Sequence, residues 1–586
     1  MYVLLQPKTK QKKHRKMKNT NPIFSLKNFR SFGEEGADFE LAPITVLTGC
    51  NSAGKSSLVK ALMLLSRQSI VKGGKTDFYP GDPEDHIDSD RMDAGADVVR
   101  NEPSKELIIS AKEFGLGRFD KVLNHYTQQE EICITYAIWS RFLQEKLIVK
   151  RTYKANTSIL NDGTLNKLSI EKEDGTTIYM YYYNKKQITV IGMDRETWYT
   201  IGWDEKFNMD SILKKCDLYI DAKKYRILVK EQKRIESFLS QWKKEDLNDK
   251  KKERYEKMEK ALKEGKARMQ EIRALWGDKI DDFLMSDDWK ATYPKSERKP
   301  ESRLDIELQS KYWTEEEQKQ HTHLREQNNI YNLVINECVF PWFFNNIAYV
   351  DSSSAVVRRL YSVEDENKMC VALGKLVKKG GKTGGFVNKW LDKFGIADSI
   401  EVVGTAEGIG IMVYLIRGNE KCLLADEGYG ITQLVSLFLQ MENTIIENTR
   451  TRTITDPDTY EETYEYYYIH SFISIEEPEI HLHPKYQSLL ADMFVEAYQK
   501  YNIHFIIETH SEYLIRKLQV LVADKENKLT PNDVSLNYVD KDENGISTNR
   551  KIEILEDGRL SGPFGPGFFD EADSLAMDLM KYKVRR

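Results

Sequence analysis

Apolar and polar residues alternate from Ile23 to Phe32, as they do in a half-buried strand. Asp38–Leu47 predicts a second strand, and its later part (Ile44, Val46, Leu47) is apolar enough to be fully buried. Leu58, Val59, Leu62 and Met63 then fall at helical spacing. From Leu107 to about Trp203 the chain is rich in β-branched and aromatic residues. Turn signals at Asn161-Asp162-Gly163 and Glu173-Asp174-Gly175 make this an antiparallel β subdomain. The rhythm changes near Ser211. Leu228, Ile235, Phe238 and Trp242, then Tyr255, Met258, Leu262, Gly265, Met269, Ile272 and Trp276, recur at threes and fours in a heptad pattern. The mostly polar Glu245–Asp249, which contains Asn248, separates the two sets. Two helices of roughly 20 residues, about 30 Å each, would fold back as an antiparallel coiled coil. The pair either packs on the body or projects as an arm; the small apolar share of each helix favours the arm. From about Asn336 the pattern is α/β again. Phe472–Ile475 and Phe505–Ile507 read as central parallel strands, with helical periodicity from Pro484 to Tyr501 between them. No internal repeat is visible.

Between the buried strand and the first helix lies Gly49-Cys50-Asn51-Ser52-Ala53-Gly54-Lys55-Ser56-Ser57. This is G-x-x-x-x-G-K-[ST] in its strand–loop–helix setting, a phosphate-binding P-loop. Gly49 and Gly54 let the backbone turn its N–H groups around an anion, with Asn51, Ser52 and Ala53 completing the cradle. The helix N-terminus adds partial positive charge. Lys55 would reach the β- and γ-phosphates, Ser56 would bind Mg²⁺, and Ser57 would hold the α-phosphate. With a single P-loop, the chain has one nucleotide-binding head. Its parts are a basic tail (1–19), an N-terminal half of the head (20–210), a helical insertion (211–335) and a C-terminal half (336–586).

Bulk composition narrows the class. The chain has 586 residues, 40% hydrophobic and 31% charged, with six scattered cysteines and no C-x-x-C. That argues for a reducing, cytoplasmic setting and against a structural zinc site. No apolar stretch approaches the roughly 20 residues of a membrane span, and the N-terminus lacks the order of a signal peptide. Net charge is −5 but uneven: Lys8–Lys18 holds seven Lys or Arg and no acid, and Ala222–Trp276 holds 18 Lys or Arg against 10 Asp or Glu. Such segments are solvated faces or contacts to DNA or RNA backbone. Met17 is an alternative start for the tail.

Further chemistry follows the P-loop. Glu476-Glu477-Pro478-Glu479 closes an apolar strand; Glu476 would hold the Mg²⁺ shell and Glu477 would polarise the attacking water. After the next apolar strand come Glu508-Thr509-His510-Ser511, and His510 would sense and stabilise charge near the γ-phosphate. Upstream, Gly428-Tyr429-Gly430-Ile431-Thr432-Gln433 opens a helix and would present N–H groups and a hydroxyl to a phosphate.

P-loop, Gly-rich helix start, acidic strand and strand-end His stand in the order of ABC-type ATPase heads. The chain resembles the OLD, RecF and SMC-like branch. Leu26–Phe32 looks like its first strand, Glu477–Pro484 like the OLD-like Walker B and following loop, and Glu508–Ser511 like its switch-histidine loop. Gly565–Glu571 resembles a C-terminal element of bacterial OLD-like ATPases of unknown function. The resemblance spans roughly 20–130 and 340–575 and leaves the middle outside. It implies an α/β, ABC-type P-loop ATPase head with an antiparallel β subdomain and an inserted helical arm. It also implies ATP and Mg²⁺ as ligands and a head-to-head homodimer. There, Gly428, Gly430, Thr432 and Gln433 of one copy, at the place of the family signature, would close over ATP on the P-loop of the other. Stand-alone members of this build resemble parts of anti-phage systems that act with a separate nuclease or toxin.

Some features depart from the family. Glu476 stands where Asp is usual, the signature is not Leu-Ser-Gly-Gly-Gln, and Gln68 is a poor Q-loop candidate. The resemblance places His481 and His483 in a dimer-contact loop, not a metal pair. Three further functions compete with the switch. An OLD nuclease needs a Toprim domain; Asp540-Lys541-Asp542 has the spacing. However, it falls in a hairpin turn between Val534–Val539 and Ser547–Leu555, with only 76 residues after His510. A RecF- or SMC-type repair ATPase is a second alternative. A transporter subunit is the third, and the missing transporter signature argues against it.

Overall fold

A computed structural model describes residues 21–70, 106–109, 116–182 (without 128, 141 and 157–161), 193–194, 197–198, 209–241, 249–280 (without 278), 334, 337–339, 347–350, 358–362, 368–405 (without 379), 410–455, 462–527, 529–565 and 568–584. The tail Lys8–Lys18, Trp242 and the separator Glu245–Asp249 up to residue 248 lie outside the described residues, while Asp249 opens a helix.

Six strands form the central sheet, in the order Ile347–Val350, Ser471–Glu476, Ile503–Glu508, Ile44–Gly49, Val534–Lys541, Ser547–Ile552. The first five run parallel and the last pairs antiparallel with its neighbour. Parallel pairing requires helical crossovers on both faces, so alternate residues of one strand enter different cores. Leu47, Phe472 and Ile506 join one core, while Val46, Ile473, Ile475, Phe505 and Ile507 join the other. The first core is shared with the P-loop helix Lys55–Ile70 and the antiparallel sheet; the second with the helices Tyr429–Asn448, Pro484–Tyr501 and Glu512–Ala523.

The antiparallel sheet runs in the order Ala37–Glu40, Ile23–Lys27, Glu131–Ser140, Glu145–Ala155, Gly163–Lys172, Glu106–Leu107, with Thr177–Tyr182 also on Gly163–Lys172. It is the expected β subdomain, and it also takes in the first strand of the chain. Asp38–Leu47, expected as one strand, is two. Ala37–Glu40 belongs to the antiparallel sheet and Ile44–Gly49 to the central one. The break falls at Leu41-Ala42-Pro43, where proline has no N–H to donate to a ladder.

The inserted helices are Met209–Gln241 and Asp249–Trp276, longer than the heptad positions alone suggested. They pair antiparallel: Trp276 Nε1 donates to Asp221 Oδ2 (2.8 Å) and Lys266 meets Glu236 at 2.8 Å. Arg273 lies over the Tyr225 ring. Met269 is buried at the seam, and Leu228, Ile235, Phe238, Met258, Leu262 and Ile272 are half-buried. Among the described residues, no helix is long and apolar enough to cross a membrane.

Candidate nucleotide site

Strand register builds the site. Glu476 pairs level with Glu508, Glu508 with Leu47, and Gly49 with Val539. The acidic strand, the histidine strand and the P-loop strand therefore end together at the C-terminal edge of the sheet, where ligands of open α/β sheets bind.

The P-loop leaves this edge in a conformation that only its own residue types allow. Gly49 has φ +124°, and a Cβ there would lie 2.0 Å from the Val539 carbonyl oxygen. Gly54 has φ +103°, with its would-be Cβ 2.5 Å from Ser31 Oγ. Asn51 and Ser52 are exposed at the lip, and Ala53 is buried beneath it. Lys55 Nζ, nearly buried, donates to the carbonyls of Gly49 (3.1 Å) and Cys50 (3.0 Å). Burial lowers its pKa, while Glu508 and Glu477 pull it back up. Ser57 is buried under the first helical turn, and Ser56 Oγ donates to Glu508 Oε2 at 2.8 Å.

Glu508 is the residue that sequence reading passed over. It is 4% exposed and sits on the strand between the P-loop and the acidic strand. Burial, reinforced by Glu476, raises its pKa to about 8. Its Oε1 is buried without a hydrogen-bond partner among the described residues. Glu476 Oε1 accepts from Tyr349 OH at 2.5 Å. Glu477 turns the chain at φ +45°, its N–H donating to the Glu508 carbonyl at 2.7 Å. His510 Nε2 stands 3.9 Å from Glu477 Oε1, in Coulomb range and beyond a hydrogen bond. Burial and then Lys55 lower the His510 pKa, so the imidazole is neutral at pH 7. The His510 backbone N–H donates to Glu479 Oε1 (2.7 Å), which holds the main chain at this strand end.

Asn51, Ser52, Gly54, Lys55, Ser56 and Ser57 of the P-loop line a cavity of about 630 Å³ together with Glu477 and Glu508, whereas Glu476 and His510 stand outside its lining. Its walls carry Arg30, Lys55, Lys60, Lys121 and Lys541 against Glu477 and Glu508. That excess of positive charge suits a polyanion. Glu508 and Ser56 offer hard oxygen ligands beside it, one carboxylate oxygen still unsatisfied, and this fits Mg²⁺. Lys60 was legible in principle, four residues after Ser56 and thus on the same helix face. Arg30 and Tyr349 carried no local signal. A second hollow, about 770 Å³, lies at the opposite edge of the sheet; Tyr467, Tyr498, Asn502 and Asp533 line it.

The Gly-rich helix start does not line this cavity. Gly428 caps the helix Tyr429–Asn448 and is exposed, while a Cβ on Gly430 would lie 2.8 Å from the His481 carbonyl oxygen. Thr432 and Gln433 face inward: Thr432 Oγ1 donates to the Gly428 carbonyl and Gln433 Nε2 to the Glu477 carbonyl, each at 3.2 Å. The outward surface of the turn is Gly428 and Tyr429. Asp542 Oδ1 accepts the turn N–H groups of Asn544 and Ile546, as the hairpin reading expects.

The sequence matches the AAA ATPase domain family over residues 23–515 and a protein family of unknown function, DUF3696, over 529–579. No curated protein matches it. Among solved structures it is similar to the Smc head domain with an extended coiled coil of Pyrococcus furiosus, bound there to the C-terminal domain of ScpA. The identity is 11% over 96% of this chain and 100% of that one, with a TM-score of 0.32. The Smc head with a coiled coil and joint from Pyrococcus yayanosii gives 12% identity over 92% and 98%, with a TM-score of 0.32. The SMC head domain of Thermotoga maritima gives 11% over 91% and 98%, with a TM-score of 0.31. With scores this low, the fold rests on the chain's own strand order.

Proposed function

From a chain that belongs to the AAA ATPase domain family, we propose a cytoplasmic ATP hydrolase of ABC type, two copies of which close around Mg·ATP as a switch. The observation that carries this is the convergence of Lys55, Ser56, Glu477 and Glu508 on one cavity at the ends of adjacent strands. Lys55 would exchange its two carbonyl partners for phosphate oxygens. Ser56 and Glu476, with Glu508 beside them, would hold Mg²⁺, which supplies charge neutralisation on the phosphates. Glu477 would orient the attacking water, with His510 stabilising charge that develops at the γ-phosphate. The inward-facing Thr432 and Gln433 brace the signature turn, so its exposed edge, Gly428 and Tyr429, would meet the second copy's nucleotide.

The test is a pair of variants. Lys55→Ala should abolish ATP binding measured by calorimetry. Glu477→Gln should bind ATP, lose turnover by about 100-fold or more, and accumulate as a dimer in light scattering. Turnover at the parent rate in Glu477→Gln would remove Glu477 from the mechanism.

The effector role is proposed on the OLD-like motifs Glu477–Pro484 and Glu508–Ser511. The switch would act in bacterial anti-phage defence on a separate nuclease or toxin. Cells carrying the chain with its neighbouring genes should resist phage, and Lys55→Ala should erase that resistance. Equal plaque counts for parent and variant would remove the defence role and leave the ATPase standing.

A further inference from the structure

The phosphate end of the cavity accounts for only part of its wall. The rest is formed by Leu123, His125 and Tyr126 on one side and by Lys541 and Gly545 of the 534–552 hairpin on the other. Tyr126 is 67% exposed, a large aromatic ring left facing the cavity's open rim.

Its backbone is firmly held. Asn124, 2% exposed, donates from Nδ2 to the Arg30 carbonyl (2.8 Å), and its Oδ1 accepts the Tyr126 N–H (2.8 Å). Arg30 N–H donates in turn to the Val122 carbonyl (2.6 Å), and Thr127 Oγ1 donates to Asn28 Oδ1. The loop is thus tied on both sides of the ring to the strand end that supplies Arg30 to the cavity. Across the rim, a Cβ on Gly545 would come within 3.3 Å of the Tyr126 hydroxyl, so the ring's free end lies close against the hairpin at this glycine. A flat, exposed, backbone-anchored ring beside a polyanion cradle is a platform for a flat heterocycle.

Resting on the triphosphate reading of this cavity, we propose that Leu123, His125 and Tyr126 form its nucleobase subsite, with the base stacked on the Tyr126 ring. A π-face is common to every base, so stacking of this kind adds affinity with little choice between adenine and guanine.

The experiment compares two ligands, Mg·ATP and Mg·tripolyphosphate, on the full chain by calorimetry. They share the phosphate contacts and differ in the base. The parent should bind ATP about ten-fold or more tighter than tripolyphosphate. Tyr126→Ala should bring the two dissociation constants together by weakening ATP alone. Tyr126→Phe should keep the parent's ratio, and GTP should match ATP within a few-fold. A ratio unchanged in Tyr126→Ala overturns the subsite. Lys55→Ala should lose both ligands together, which separates failure of the cradle from failure of the platform. A parent that binds neither ligand overturns the triphosphate reading and this subsite with it.

Discussion

Glu508 shows how one side chain sets the site's electrostatics. Its carboxyl is buried beside Glu476, so ionising it in the folded chain costs more than in the unfolded one. The consequence has a definite sign. Below about pH 4.5 both states hold the proton and nothing differs. Between 4.5 and about 8 the unfolded chain ionises while the folded one stays protonated, so stability falls as pH rises. Above about 8 the penalty is constant. Glu508→Gln should therefore raise the nucleotide-free protein's melting temperature at pH 9 and leave it unchanged near pH 4. The gain at high pH should be roughly 2–5 kcal/mol. Thermal denaturation across that range checks it; a gain equal at both ends would deny the buried charge its role. Nothing in the primary structure announces this residue, because its perturbation comes from burial in the folded chain and then from Glu476, on a neighbouring strand 32 positions earlier and level with it in the sheet.

At the scale of elements, the inserted helix pair has a seam of modest width and a basic outer surface. Lys252, Lys260 and Lys263 are exposed on Asp249–Trp276. We propose that this surface meets nucleic-acid backbone. Replacing the three lysines with Gln should weaken DNA or RNA binding uniformly across sequences. The log–log salt slope should flatten by about one for each phosphate that a lysine no longer neutralises. Filter binding from 50 to 200 mM salt reads both. An unchanged slope would make the pair a protein-docking or purely structural element. The heptad positions found this seam correctly because coiled-coil packing is local in sequence. Helix lengths ran past the heptads because the flanking turns need only propensity, which leaves no periodic mark.

For the whole molecule, the decisive question is whether a second copy completes the site. Gly428 makes this testable without disturbing the fold: a Cβ there meets nothing within 4 Å, and its φ of −65° suits any residue. Gly428→Trp should keep the parent's melting temperature and ATP affinity yet lose ATP-induced dimerisation and turnover. Variants at Gly430 would be uninformative, since the His481 carbonyl already fills that space. A Gly428→Trp chain that still dimerises with ATP would place the signature turn away from the shared nucleotide.

The amino-acid sequence by itself determined the P-loop, the acidic strand end, the strand-end histidine and the two-helix insertion. Each of these is written in neighbouring residues, where backbone chemistry and short periodicities act. Tertiary structure alone decided that Asp38–Leu47 divides between two sheets, that Glu508 stands between the P-loop and Glu476, and that Tyr126 and Arg30 reach the same cavity. Those outcomes depend on strand order and register, which bring together segments hundreds of positions apart and leave no trace in local pattern.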